Sequence, residues 1–152
     1  MRVTARADYA VRAAIELVGA SAAAPRKADS VALAQGIPRS FLENILNQLK
    51  SAGVVRSQRG PEGGWWLLRP PETLTLADVI RGVEGPLASV RGERPENLSY
   101  DGSAEALQDV WIALRANIRA VLETVTLADV AHGQLPKSVV ALAREPTAWT
   151  SG

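Results

Sequence analysis

Arg59-Gly60-Pro61-Glu62-Gly63-Gly64-Trp65-Trp66-Leu67-Leu68-Arg69-Pro70-Pro71 reads as a sharp turn between two short strands. Val54-Val55-Arg56-Ser57-Gln58 runs into it and Trp65-Trp66-Leu67-Leu68 runs out. The glycines Gly60, Gly63 and Gly64 supply positive φ without a Cβ penalty, and Pro61 pre-sets one corner. Arg56, Arg59 and Arg69 flank the turn, so it carries guanidinium groups of the kind that meet phosphate. Strand alternation puts Trp65 with Leu67 on one face and Trp66 with Leu68 on the other. A two-stranded hairpin has no second core for that other face. Trp66 is therefore either covered by a neighbouring element or part of a ligand or partner surface.

Ahead of the turn, residues 39–52 form an amphipathic helix that ends at Gly53. Phe41, Leu42, Ile45, Leu46 and Leu49 supply its apolar face. Arg39, Ser40, Glu43, Asn44, Asn47, Gln48 and Lys50 supply the other. Amide side chains suit adenine edges, Arg suits guanine, and Glu accepts from cytosine. Before it, Asp29 or Ser30 caps a short helix, Val31–Gln35, which Gly36-Ile37-Pro38 breaks. Ala32 permits a close helix crossing, Gly36 takes the left-handed turn, and Ile37 plugs the angle. The first helix runs from Thr4, its N-cap, to about Ala20, with Ala7, Val11, Ala14 and Val18 in one stripe and Tyr9 packed beside it. Helix-turn-helix followed by a basic, glycine-tipped hairpin is the order of a winged helix. The predicted fold is mainly α with a small β-hairpin wing and a long dimerisation helix.

Toward the C-terminus, Thr75 with Asp78 three residues on starts a further helix in capping-box fashion, and Gly85-Pro86 ends it. Its apolar side is Leu76, Val79, Ile80 and Val83. Thr126-Leu127-Ala128-Asp129-Val130 repeats the pentapeptide Thr75–Val79, read as shared helix-start chemistry because nothing around it matches. From about Ser103 to Thr124, Leu107, Trp111, Leu114, Ile118, Val121 and Val125 recur at heptad spacing. A small winged helix has little core left to receive such a seam, so pairing between two chains is expected. The chain divides into a DNA-binding domain (1–86), a linker and candidate sensor loop (87–102), dimerisation helices (103–135) and a tail (136–152) that either docks as a final helix or stays mobile.

Composition narrows the classes. The 152 residues are 47% hydrophobic, enough for one core. No apolar run reaches the roughly 18 residues that span a bilayer. The N-terminus has no apolar signal region, so a cytoplasmic protein is expected. Absence of cysteine excludes a disulfide framework, a thiolate nucleophile and a thiolate-held cluster. Net charge is only +1, but residues 1–76 hold ten Arg/Lys against six Asp/Glu and residues 77–152 hold seven against ten. A basic front half and an acidic rear half fit a nucleic-acid module joined to an assembly module.

Several segments together resemble one family. They are Tyr9-Ala10, Gln35-Gly36-Ile37-Pro38, Phe41–Leu46, Leu49–Val55, Arg59–Gly64 and Val83-Glu84-Gly85-Pro86. The family is the winged-helix regulators that include IscR, NsrR and CymR. The resemblance runs from Met1 to about Pro86 and more loosely to His132. It implies a homodimeric transcription regulator, usually a repressor, with the helix from Arg39 in the major groove and the Arg59–Gly64 wing at the neighbouring minor groove. Two departures stand out. The residue after the double glycine is usually an aromatic followed by a polar residue, where this chain has Trp65-Trp66. Cluster-binding relatives place three cysteines in residues 88–103, where this chain has none; CymR-type relatives also lack them.

The expected function is therefore sequence-specific binding of double-stranded DNA by a homodimer, without cofactor or metal. Arg39, Ser40, Glu43, Asn44, Asn47, Lys50, Arg56, Arg59, Gly60 and Gly63 are the candidate DNA contacts. Glu43 would serve selectivity at an electrostatic cost. A second class is a winged helix that binds a partner protein, which an exposed apolar surface in place of the amides would favour. An enzyme fits worst: there is one His, no Cys, no phosphate loop and no paired carboxylates in a glycine-punctuated site. The signal is left open among a small-molecule effector near the linker and Trp66, a partner enzyme, or none.

Overall fold

Thr4 starts the first helix as expected, its Oγ1 accepting from the Ala7 N–H at 3.0 Å. In the computed structural model, which describes residues 1–152, α1 spans Ala5–Glu16, α2 Ala28–Gln35 and α3 Arg39–Ser51. The hairpin is β1 (Val55–Gln58) and β2 (Gly64–Leu67), antiparallel with Val55 opposite Leu67 and Gln58 opposite Gly64. Then follow α4 (Leu76–Glu84), α5 (Leu107–Leu122), α6 (Leu127–Ala131) and α7 (Lys137–Arg144). The mainly α fold with a two-stranded wing is as expected.

Three boundaries differ from the sequence reading. The first helix stops at Glu16, four residues early, with turns through to Gly19 at φ +92°. The second begins at Ala28 after Lys27, which makes no side-chain cap, so neither Asp29 nor Ser30 starts it. The long helix begins at Leu107, after a separate 3-10 turn at Gly102–Ala104. Gly36 does take the left-handed conformation, φ +61°, between α2 and α3.

One core holds these elements together. Ala10, Ala13 and Ala14 of α1 and Leu17 just after it meet Val31, Ile37, and Leu42, Ile45, Leu46 and Leu49 of α3, with Val55 at the wing base and Val79 of α4. Alanines on α1 let α3 and α4 approach closely, and large residues on α3 fill the space. Thr75 and Thr126 both form full capping boxes with Asp78 and Asp129. The two identical pentapeptides also lie antiparallel against each other: Leu76 N–H donates to Val125 O at 3.0 Å and Leu127 N–H to Leu74 O at 2.9 Å. The shared helix-start chemistry thus doubles as a two-fold-like clasp that fixes α6 to α4, with Leu127 fully buried in the core.

Residues 87–102 pack onto α5. Leu87, Pro95 and Leu98 are buried, and Gln108 Nε2 donates to Pro95 O at 3.2 Å. At the tail, α7 leads to a 3-10 turn at Pro146–Trp149, whose exposed indole N–H turns back to Ala143 O.

Candidate nucleic-acid interface

Helix α3 buries Leu42, Ile45, Leu46 and Leu49 and turns Ser40, Glu43, Asn44, Asn47 and Lys50 to solvent. Phe41, expected in the core, is 55% exposed. At about 100° per residue it lies one step off the buried stripe. It packs edge-on to Tyr9, 6.3 Å between centroids, and the Arg12 guanidinium lies 5.0 Å from the centre of the Tyr9 ring.

Charge on this helix is arranged in pairs. Arg39 is held between Asp29 (2.6 Å) and Glu43 (3.1 Å), which orients both the cation and the acid. Such exposed pairs contribute only about 0.2–1 kcal/mol each, so a phosphate or base edge can displace a carboxylate. Arg6 reaches over from α1 and donates to Asn44 Oδ1 at 2.7 Å and, through Nε, to Gln48 Oε1 at 3.0 Å. Both amide oxygens are thus engaged as acceptors by the guanidinium. Lys50 Nζ donates to Ser57 Oγ at 2.9 Å, tying α3 to the wing strand.

The wing is stiffer than a free hairpin. Arg26 N–H donates to Trp65 O at 2.9 Å and Trp65 N–H to Arg26 O at 2.8 Å, adding a third backbone segment. Lys27 Nζ then donates to Pro61 O at 2.5 Å, gripping the tip. Gly60 is left-handed, φ +104°, but Gly63 is not, and the reason for glycine there is space. A Cβ on Gly63 would lie 2.0 Å from Gln58 O. Gly63 is buried and its N–H is spent on Gly60 O at 3.0 Å, so it shapes the wing instead of offering a phosphate contact. Arg56 and Arg59 are exposed and form no ion pair, whereas Arg69 sits 3.6 Å from Asp78. Trp65 and Leu67 pack on the core, as alternation required. Trp66 is half-buried opposite Arg56 and lines none of the three principal cavities.

Away from this face, α5 has no buried residue along its sixteen. Leu107, Trp111, Leu114, Ile118 and Val121 are half-buried, and Trp111 Nε1 donates to Tyr100 OH at 3.1 Å. Ile118, Val121 and Leu122 form one wall of an open groove of about 690 Å³ completed by Met1, Val3 and Ile80. Val125 does not belong to this seam. The helix ends at Leu122, and Val125 is 3% exposed inside the chain's own core, held by the clasp to Leu76.

Sequence reading missed Arg6, Lys27 and the exposed placement of Phe41. Lys27 was visible as a basic residue in a small-residue connection, but its partner lies 34 positions away. Arg6 had no signal, because its amide partners are on another helix.

Comparison with known proteins places the chain among transcriptional regulators. The Rrf2 family, described as iron-dependent transcriptional regulator, matches residues 3–133. A helix-turn-helix-type regulator of Mycobacterium tuberculosis strain H37Rv, Rv1287, is 50% identical over 151 residues, covering 99% of this chain and 94% of its own. CymR of Bacillus subtilis strain 168 is 30% identical over 131 residues, 86% of this chain and 90% of its own. The solved structure of the B. subtilis global cysteine regulator CymR aligns with TM-score 0.72 at 29% identity, over 88% of this chain and 98% of that one. An IscR structure from T. potens aligns with TM-score 0.67 at 28% identity, over 100% and 94%. The iron in the family description has no matching donor set here. There is no cysteine, and no three His, Asp or Glu side chains lie close enough to hold a metal ion.

Proposed function

The chain belongs to the Rrf2 family of transcriptional regulators, and from that premise we propose that it is a homodimeric repressor that binds a palindromic operator without an iron–sulfur cluster. The observation that carries this reading is the joint geometry of α3 and the wing. Ser40, Glu43, Asn44 and Asn47 are exposed together on one helix, and the unpaired Arg56 and Arg59 stand beside it on the hairpin. Amides and an acid read base edges, while free guanidiniums take phosphate or a narrow minor groove. A protein-contact surface would present apolar side chains at those positions; on the helix-turn-helix the exposed large apolar side chains are Phe41 of α3 and Leu33 of α2.

Pairing of two chains is supported by α5, a sixteen-residue helix with nothing fully buried, and by the apolar groove alongside it. A second copy of α5 laid against Leu114, Ile118 and Val121 would cover both. Cluster-free action is supported by donor chemistry: guanidinium is a poor metal ligand and thiolate is missing. Any signal must then act by shifting the placement of the two wings.

A mobility-shift titration on random duplex DNA at rising salt tests the nucleic-acid assignment. Several neutralised phosphates per protomer predict an affinity loss on the order of 10³ between low and moderate salt. A salt-independent or absent shift would point to the protein-contact alternative. Protein purified without air should be colourless and iron-free, and brown iron-loaded protein would refute the cluster-free reading.

A further inference from the structure

Four arginines converge on one cavity well away from α3. Arg81 of α4, Arg94 of the 87–102 segment, and Arg115 and Arg119 of α5 line a cleft of about 290 Å³ with Glu96 and Ser89. Two carboxylates answer them. Glu96 pairs with Arg115, and Glu123 accepts from Arg81 and, at 2.9 Å, from Arg119. Arg94 has no ionic partner. Four guanidiniums against two carboxylates leave two positive charges over around one small cleft, and like charges held together disfavour that arrangement until an anion joins them.

The segment that supplies Ser89 and Arg94 to the cleft is held in an uncommon form at two neighbouring residues that do not line it. Ala88 and Arg91, neither of them glycine, have φ of 53° and 54°. Side-chain-bearing residues in the left-handed region cost free energy and collect at ligand clamps and switch segments. Nothing in the winged-helix core calls for them, since the buried residues of this segment are Leu87, Pro95 and Leu98.

We propose that this cleft is an effector site for a small dianionic metabolite carrying carboxylate or phosphate groups. Guanidinium forks bind both head groups in the same bidentate way, and the charge excess matches a dianion. The volume suits a molecule of malate or glycerol phosphate size and excludes a nucleic-acid strand. A bound dianion bridges α4, the 87–102 segment and α5. It thereby links the DNA-binding domain to the helix expected to pair with a second copy. Binding itself is independent of the DNA assignment; the effector role rests on it.

Calorimetric titration of the full chain with malate and, separately, with glycerol phosphate tests the site, with acetate as the monoanion control. One saturable site per chain in the sub-millimolar range is expected for at least one of the two, and the tighter of them identifies the head group. Arg94→Gln should weaken binding at least tenfold while the melting temperature without anion stays unchanged, because Arg94 holds no ion pair. Arg94→Lys should recover part of the loss. Absence of saturable heat with both anions, or an Arg94→Gln chain that binds as wild type, overturns the site. The same dianion should change DNA affinity severalfold in wild type and not in Arg94→Gln. Binding without that change overturns the effector role while leaving the DNA reading intact, and a chain that binds dianion but no DNA sinks the DNA reading instead.

Discussion

Gly63→Ala is the most severe single change the wing geometry predicts. The added Cβ would lie 2.0 Å from Gln58 O, 2.7 Å from Gln58 C and 2.8 Å from Arg59 C. All three are backbone atoms, so no side-chain rotation relieves the contact. Restoring ordinary separation requires the turn to open by roughly 1 Å or more. Opening it breaks the Gly63 N–H bond to Gly60 O, worth about 1 kcal/mol, and forces distorted backbone at a further ~1–3 kcal/mol. For a domain of this size that total lowers Tm by roughly 4–15 °C, when wing and core melt together. Gly60→Ala provides the contrast. Nothing lies within 4 Å of its Cβ, so only the left-handed backbone, at about 1–2 kcal/mol, opposes it. Differential scanning calorimetry and DNA titration of both variants give the answer. Gly63→Ala should be the less stable and should also lose DNA affinity, because Arg59 and its neighbours ride on the displaced turn. A Gly63→Ala chain with wild-type Tm and binding, or one milder than Gly60→Ala, would refute the close-packing account of the wing.

Arg59→Ala should weaken binding to specific and random duplexes alike and reduce the salt slope by about one per wing, whereas Glu43→Ala should chiefly alter base preference; equal effects on both DNAs would undo that division. Leu114→Asp should leave the winged-helix core folded but yield monomers by light scattering, since a carboxylate at an apolar contact between copies costs several kcal/mol; a mutant that stays dimeric would move the pairing surface elsewhere. Acid should loosen the α5 surroundings. Glu96 is held below the ordinary carboxylate range by a backbone hydrogen bond and by Arg115, and Glu123 by hydrogen bonds from Arg81 and Arg119. Their contribution is therefore complete above the ordinary carboxylate pKa and lost as pH falls through the lowered values, a dependence that Glu96→Gln with Glu123→Gln should flatten in pH-resolved melting.

The parts of this fold that could be read in the chain are those where one residue type has few alternatives. Gly36 between two short helical patterns admits little but a left-handed turn, and Thr75 and Thr126 with Asp three residues on announce helix starts that the structure shows as complete capping boxes. Phe41 misled because apolar character was taken as burial, although its neighbour Leu42 already occupied the buried direction. Val125 misled because heptad spacing continues through the chain after the helix has ended at Leu122. Gly63 was rightly singled out for the turn, but the reason lies in a carbonyl five residues earlier and not in its own φ. The arginine cleft left no pattern at all: its members are scattered from Arg81 to Arg119 and come together only through the packing of residues 87–102 on α5.

Selection of bound duplexes from a fully random pool, followed by sequencing, tests the central claim most directly. Two copies presenting α3 and its wing on one face predict enrichment of an inverted repeat, its half-sites one helical turn or a multiple of it apart, occupied by two chains per duplex. No enrichment, or a single asymmetric site occupied by one chain, would contradict it.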